Sequence, residues 1–438
     1  MNVTVIGTGY VGLTTGVGLA SIGHKVICLD IDQGKIAQLK EGISPIFEPG
    51  LEELLKEQIH KGSITFTCSY PEALEKAEIC MLALPSPCKE TGECDLSYIL
   101  AAAQSIGSFM QKPLLILNKS TVPPLSHKQI LHTIQKAQPF PIALEWVTNP
   151  EFLKEGSALE DFFHPDRIIL GVNEKSAAQK AIDLYAALSV PKEAFFVMDP
   201  TSAELTKYAA NTMLALRISF MNELALLCDS LGANIEHIRR GIGSDARIGT
   251  QFLHAGVGFG GSCFPKDIEA LSYTFSSHFL HPYLPQAILS INERQKKHLV
   301  EKIVRHFGEN QKMEGKTISI WGLAFKPKTD DIRQAPSLCI VKALLDLGVQ
   351  VRIYDPVAME KGKSYFSSHP SLYWASSPYD AAHGSHAIAL VTEWPEFKAL
   401  DFSLIAKNMD KPIFFDGRNY CPRQELQKSG FCYYGIGT

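Results

Sequence analysis

This sequence predicts an α/β protein with two doubly wound, mostly parallel sheets joined by a long central helix and a helical middle domain. Three observations carry that expectation. A β-branched run, a glycine-rich turn and a helix of small residues open the chain, strand-like runs then alternate with helical stretches, and the end of the chain repeats the spacing of its start.

Residues 3–6 read as a strand, 7–12 as a tight turn, 13–22 as a helix stopped by Gly23, and 25–29 as a second strand ending at Asp30. Further strands are expected at 79–84, 114–119 and 167–171, so a first domain fills residues 1–198. Asp199-Pro200 breaks this pattern. Thr201 and Glu204 then have the spacing of a capping box. Leu205, Tyr208, Met213, Leu216, Phe220, Leu224 and Leu227 carry a helix on to Gly232, about 45 Å at 1.5 Å per residue. This connecting helix opens a helical domain, residues 199–307, interrupted by the glycine-rich stretch 256–261. The last part, 308–438, echoes the first: a strand at 317–321, a helix at 336–347 and a strand at 349–354 ending at Asp355. Seven positions separate Gly23 from Asp30, and seven separate Gly348 from Asp355. Where the first part has its glycine turn, the last has Gly322-Leu323-Ala324-Phe325-Lys326, so a dinucleotide is not expected to be cradled there in the same way.

Composition narrows the function. The 438 residues are 45% hydrophobic and 20% charged, with material for buried cores and against disorder over most of the length. A net charge of −4 without a long basic tract argues against a nucleic-acid or membrane-surface binder. No apolar run approaches the roughly 18 residues of a membrane span, and residues 1–23 lack the features of a signal peptide. The expected setting is cytoplasmic. Ten cysteines without CxxC spacing read as reduced core residues and give no metal site.

Gly7-Thr8-Gly9-Tyr10-Val11-Gly12 fits a dinucleotide fingerprint of the Rossmann-like type, between a strand and a helix. Gly7 permits the turn, Gly9 lets the backbone reach a pyrophosphate, Gly12 allows close helix packing, and the helix start favours phosphate charge. Asp30 lies 18 residues after Gly12, where a carboxylate accepts from both ribose hydroxyls and repels a 2′-phosphate. NAD is the expected cofactor, with Lys35 near enough in sequence to soften the preference over NADP.

Residues 256–267 read Gly-Val-Gly-Phe-Gly-Gly-Ser-Cys-Phe-Pro-Lys-Asp. Four glycines in six positions let the backbone approach a ligand, and Cys263 stands where the loop leaves for a helix, open to activation by amide dipoles. Removing hydride from an alcohol needs no nucleophile. Oxidising an aldehyde does: a thiolate adds to the carbonyl, the adduct loses hydride to give a thioester, and water releases the acid. Lys207 and Asn211, four apart, share a helix face, where a lysine can stabilise an oxyanion or be an ordinary solvated charge. Glu151 and Glu155 lie on one short segment, 149–156, and spacing does not choose between them as base.

Taken together, these motifs resemble the UDP-glucose 6-dehydrogenase branch of the UDP-glucose/GDP-mannose dehydrogenase family. Besides those above, Pro85-Ser86-Pro87, Asp95-Leu96-Ser97-Tyr98, Lys119-Ser120-Thr121-Val122 and Asp416-Gly417-Arg418 carry the resemblance, which covers nearly the whole chain. It implies oxidation of UDP-glucose to UDP-glucuronate with two NADH formed, by a homodimer built around the long helix. It implies Cys263 as nucleophile, Lys207 for the oxyanion with Asp267 acting beside it through a water, and Glu155 as the base for thioester hydrolysis. Thr121 would place that water and Asn211 would add to the oxyanion site. For the sugar and phosphates it implies Glu151, Phe152, Leu153, Lys154, Phe252, Gly256, Phe259, Gly260, Phe325, Lys326 and Arg418, with Arg247 reaching in from a neighbouring subunit. For NAD it implies, beyond the glycine turn with Tyr10 and Val11, the residues Asp30, Lys35, Ser86, Thr121, Glu155 and Arg333. Val257, Phe259 and His254 depart from many bacterial relatives, which carry proline, tyrosine and in some cases lysine there. Competing expectations are the same chemistry on GDP-mannose or a UDP-N-acetylhexosamine, a single-oxidation dehydrogenase with an unreactive cysteine, and an NAD-binding sensor without turnover.

Overall fold

The computed structural model describes residues 1–308, 313–367 and 369–438. The chain divides into two compact units, Met1–Ala210 with Glu269–His281, and Asn211–Ile268 with Pro282–Thr438.

The first unit is built on eight strands: β1 (Asn2–Ile6), β2 (Lys25–Leu29), β3 (Ile64–Thr67), β4 (Ile79–Leu82), β5 (Leu114–Asn118), β6 (Leu144–Thr148), β7 (Ile168–Gly171) and β8 (Phe195–Met198). They lie side by side in the order β3-β2-β1-β4-β5-β6-β7-β8. All neighbours run parallel except β6 and β7, which meet antiparallel at Thr148 and Gly171. Strands β4 and β5 are buried throughout, because helices cover both faces of a parallel sheet and leave no wet side for polar alternation. Successive side chains of β1 serve opposite cores: Val3 and Val5 pack with Leu13 and Val17, whereas Ile6 packs with Leu82 and Ile116. The strand order reverses between β1 and β4, and ligands in such sheets bind beyond the carboxyl ends of the strands at that point.

The second unit repeats the plan with β9 (Thr317–Trp321), β10 (Gln350–Tyr354), β11 (Leu372–Trp374), β12 (Ala387–Leu390), β13 (Ile413–Asp416) and β14 (Cys432–Tyr434). Their order, β11-β10-β9-β12-β13-β14, is that of the first six strands of the other unit, and every pairing is parallel. Trp321 centres the core, its ring 5.1 Å from Phe397 and 5.7 Å from Phe414. Between the sheets in sequence come the helices Pro200–Leu231, Ile235–Gly243, Phe264–Ser277 and Tyr283–Phe307. The expected α/β class, with two Rossmann-like sheets and a helical middle, is the observed one. Among the described residues no helix is long and apolar enough to cross a membrane.

The structure corrects two local expectations. The long helix begins at Pro200, and its cap is the Asp199 carboxylate, which accepts from Ser202 N at 2.9 Å. Glu204 is no capping-box partner. Buried, it turns away to accept from Leu125 N at 2.7 Å and His127 N at 2.9 Å, because a buried carboxylate goes where donors are. The interruption of the helical middle is also longer than the glycines alone predict, since no helix forms between Gly243 and Phe264.

Candidate active site

In the first unit, Gly7 takes a φ of +98° and donates to Leu29 O at 2.7 Å, which closes the turn after β1. A Cβ on Gly7 would lie 2.3 Å from Ala83 O, and one on Gly12 only 1.9 Å from Gly7 O. Gly9 differs: nothing lies within 4 Å of where its Cβ would stand, and the helix Tyr10–Ser21 that it caps has no side-chain hydrogen bond on its first amides. Open backbone at a helix start is what a pyrophosphate requires. Asp30, at the end of β2, accepts from Thr8 N at 2.9 Å, Thr8 Oγ1 at 2.7 Å and Lys35 Nζ at 3.3 Å. Burial opposes its ionisation, but Thr8, the Asp32 amide and Lys35 outweigh burial and hold the carboxyl below its ordinary range. The residues present thus fit an NAD: free amides for phosphate and an ionised acid for ribose.

The ends of β4 and β5 are stitched together. Ser120 Oγ donates to Leu84 O and accepts from Leu84 N, and Ser86 Oγ donates to Thr121 O at 2.6 Å. Beyond β6, Glu151 Oε1 lies 3.4 Å from Lys207 Nζ, both groups buried, while Glu151 Oε2 accepts from Leu153 N at 2.6 Å. The ring of Phe152 stands under two cations, with the Arg167 guanidinium 3.8 Å and Lys207 Nζ 5.0 Å from its centroid. A cavity of about 150 Å³ opens here, lined among others by Lys119, Asn149, Glu151, Phe152, Arg167 and Tyr185. Lys119 donates to Asn149 Oδ1 at 3.1 Å and to Tyr185 Oη at 3.4 Å. Burial pushes its ammonium down to about 8, against the pull of Glu151 and with the help of Lys207. Glu155 is half-buried on the following turn. That turn is fixed by Glu48, which accepts from Gly156 N at 2.6 Å and Ala158 N at 2.7 Å and also from the Tyr10 hydroxyl. Burial, with Glu48 alongside, pushes the Tyr10 phenol up. Lys154 is turned outward to Asp161 at 2.5 Å.

In the second unit, Cys263 stands immediately before the helix Phe264–Ser277, and its carbonyl accepts from Asp267 N at 2.9 Å. It therefore occupies the helix-cap position, where the helix dipole favours negative charge. The glycine loop behind it is fastened by its backbone. Gly256 N donates to Asn222 Oδ1 at 2.8 Å, Phe259 N to Asn292 Oδ1 at 2.8 Å, and Gly261 N to Arg333 O at 2.8 Å. Arg418 Nη1 donates to Gly258 O at 3.0 Å. Gly261, with φ +85°, would place a Cβ 2.8 Å from the Phe325 ring, and Gly260 one 2.5 Å from Gln334 O. Asp267 is buried and accepts from Asn211 Nδ2 at 2.5 Å and Lys266 Nζ at 2.5 Å. Lys207 and Asn211 share a helix face as expected, and each meets a buried carboxylate. Lys326 Nζ lies 5.7 Å from the Phe325 ring centroid, and the ring of Phe252, in the left-handed region at φ +59°, is tilted 50° against that of Phe264 at 6.3 Å. Arg333 chelates Asp331, and Arg247 is held by Asp245 at 2.6 Å with 89% of its side chain exposed. Val257 and Phe259 are buried apolar residues, whereas His254 is exposed.

Sequence reasoning gave no role to Lys119, Glu48, Arg167 or Lys266. Lys266 had a visible signal, a cation beside Asp267 at a helix start. The other three are brought to the site by strand ends and loops far apart in sequence.

The second sheet shows why its turn differs. Gly322 has φ +97° and donates to Tyr354 O at 2.8 Å, as Gly7 does to Leu29 O. Asp355, the counterpart of Asp30, is buried and accepts from Leu323 N, Ala324 N, Val357 N, Ala358 N and Trp394 Nε1. Five protein donors on a carboxylate that is 1% exposed leave a ribose no approach, whereas Asp30, despite donors of its own, remains partly exposed.

A doubly wound sheet with an open glycine turn and an ionised acid after β2, in a chain that also carries a cysteine at a helix cap, defines an NAD-dependent oxidoreductase. Models of the UDP-glucose/GDP-mannose dehydrogenase family match in three parts: the NAD binding domain over residues 1–189, the central domain over 201–294 and the UDP binding domain over 319–423. The chain belongs to this family. It is 42% identical to a UDP-glucose 6-dehydrogenase of Pseudomonas aeruginosa, covering 100% of this chain and 97% of that one. It is 40% identical to the UDP-glucose 6-dehydrogenase YwqF of Bacillus subtilis, covering 100% and 98%. Among solved structures, a UDP-glucose dehydrogenase from Pyrobaculum islandicum superposes with a TM-score of 0.91 at 35% identity, covering 100% of this chain and 97% of that chain. A UDP-D-ManNAc dehydrogenase from Pyrococcus horikoshii gives 0.86 at 27%, covering 100% and 99%.

Proposed function

We propose that this chain oxidises UDP-glucose to UDP-glucuronate in two successive two-electron steps, with two NADH formed per sugar. The observation that carries the proposal is Cys263 at a helix cap, on a glycine loop fastened through its backbone: a setting for addition to a carbonyl and a poor one for a packing residue. NAD, which Gly7, Gly9, Tyr10, Val11, Gly12, Asp30, Lys35 and Glu155 would hold, with Arg333 at the pyrophosphate and Ser86 and Thr121 near the nicotinamide, would supply the hydride acceptor.

In this reading Lys207, held in place by Glu151, stabilises the oxygen of the sugar C6 while the hydroxyl proton passes to the acid–base machinery and a hydride leaves that carbon for NAD, giving the aldehyde. Cys263 sulfur then bonds to the aldehyde carbon and forms a thiohemiacetal, with Asn211 adding a donor to the oxyanion. Loss of hydride converts this adduct to a thioester. Glu155 takes a proton from a water placed by Thr121, the water oxygen bonds to the carbonyl carbon, and the carbon–sulfur bond breaks to return the thiolate. Asp267, held by Asn211 and Lys266, belongs with Lys207 to the acid–base machinery. Glu151, Phe152, Leu153, Lys154, Phe252, Gly256, Phe259, Gly260, Phe325, Lys326 and Arg418 bind the nucleotide sugar, and Arg247, extended off its own surface, serves a neighbouring subunit. The three functional parts are residues 1–198, 199–307 and 308–438.

The proposal includes a cytoplasmic homodimer built on the long helix. Met213, Phe220 and Leu227, seven apart, are 57%, 49% and 52% exposed, an apolar stripe that a second copy of the helix would cover.

The test is product analysis with a panel of nucleotide sugars, followed by mass spectrometry of two variants. Acid from UDP-glucose with two NADH per sugar is expected; a preference for GDP-mannose or a UDP-N-acetylhexosamine, or arrest after one NADH, overturns the substrate or the chemistry. After UDP-glucose and NAD, Glu155→Gln accumulates a covalent sugar on Cys263. If Glu151→Gln accumulates it instead, the base is Glu151.

A further inference from the structure

The segment after β4 carries Cys88 and Cys94, which sequence spacing leaves as unrelated core residues. The backbone doubles back between them. Lys89 N donates to Glu93 O at 2.8 Å, Asp95 N donates to Pro87 O at 2.8 Å, and Gly92, at φ +83°, makes the turn with its amide on Lys89 O at 2.9 Å. The first two bonds flank Cys88 and Cys94, which face each other as an antiparallel bridge. A pair that lies between ladder bonds without making them is the close kind, with Cα atoms about 4.5 Å apart and side chains on one face. A disulfide requires Cα atoms about 4.4–6.8 Å apart, a window that includes the spacing of such a pair. The two thiols differ in access. Cys88 is partly exposed, whereas Cys94 is 6% exposed with its Sγ 3.9 Å from Ser86 O.

We propose that Cys88 and Cys94 are a redox-active pair that closes into an intramolecular disulfide by exchange with a small disulfide of the oxidised-glutathione kind. The accessible Cys88 thiolate attacks one sulfur of the small disulfide, forming a mixed disulfide and expelling one small thiolate. Cys94, once deprotonated, attacks Cys88 Sγ, forming the internal bond and expelling the second. Two cysteine thiols are oxidised, one small disulfide is reduced to two thiols, and the two cysteine protons end on those thiols. The bond itself is independent of the proposed function. Its consequence for turnover rests on that reading: the pair begins two residues after Ser86, so closure stiffens the loop that carries a residue assigned to the cofactor.

The experiment equilibrates the full-length protein across a series of reduced-to-oxidised glutathione ratios, blocks remaining thiols by alkylation and maps peptides by mass spectrometry. Mapping, unlike activity, separates this pair from Cys263. The peptide holding both cysteines is expected to lose two hydrogens in a single transition that dithiothreitol reverses. Cys94→Ser is expected to retain glutathione on Cys88, and Cys88→Ser to leave Cys94 unmodified. Glutathione on Cys88 of the wild-type protein without the internal bond, or two cysteines alkylated independently throughout the series, overturns the proposal; the wild-type result decides even if a variant folds poorly.

Discussion

Lys119 follows β5 in a place where a cation has two hydrogen-bond acceptors and little water. Burial lowers its pKa from 10.5 to about 8. Between those values the unfolded chain binds more protons than the folded one, so stability rises with pH across the window and the cost of the buried charge is fully present below it. Urea unfolding of the wild-type protein against Lys119→Met is expected to show the wild type gaining roughly 3 kcal/mol on the variant between pH 7.5 and 10.5. A pH-independent difference would mean that this lysine is not desolvated. At this scale the sequence shows Cys263 plainly, through its glycine loop, but leaves Glu151 and Glu155 equivalent. They lie in a loop, where a spacing of four says nothing about facing. The fold separates them: Glu151 is buried against Lys207, and Glu155 is half-buried on a turn fixed by Glu48.

The glycine turn after β1 shows how one element divides structural from binding duties. Gly12→Ala would drive a Cβ to 1.9 Å from Gly7 O, and loss of the folded protein is the expected outcome, read as failure of soluble expression or a collapsed melting temperature. Gly9→Ala meets no atom within 4 Å. Its stability should stay within about 0.5 kcal/mol of wild type, while calorimetry is expected to show NAD binding weakened about tenfold or more, about 1.4 kcal/mol. Equal NAD affinity in that variant would remove Gly9 from the cofactor site. Gly261→Ala combines a left-handed φ with the Phe325 ring, so it should lower turnover of UDP-glucose while NAD affinity holds. The turn itself is legible because strand, glycines and acid are consecutive. The cysteine hairpin is less so: only Thr91-Gly92 hints at a turn, and pairing of Cys88 with Cys94 depends on which residues flank them.

For the whole molecule, replacing Phe220 by glutamate puts a charge in the middle of the exposed stripe on the long helix. Sedimentation is expected to show a dimer for wild type and a monomer for Phe220→Glu; unchanged mass would move the interface elsewhere. The repeat of the fold is readable from the equal spacing of Gly23 to Asp30 and Gly348 to Asp355, because a strand of fixed length must end on the same side of each sheet. Strands such as β3, β11 and β14 escape notice because three or four residues give too little periodicity. The antiparallel meeting of β6 and β7 is likewise invisible, since direction is set by the path of the connecting segment.

The saturation of Asp355 has a consequence for stoichiometry. With its oxygens committed to five donors, the second sheet offers no duplicate berth, so titration of NAD should saturate near one equivalent per chain. Two oxidations through one berth, as proposed above, would require a changeover midway, with the half-finished sugar retained while one nicotinamide cofactor is exchanged for another. On the reading proposed above, the bond to Cys263 would give that interval a physical hold on the intermediate.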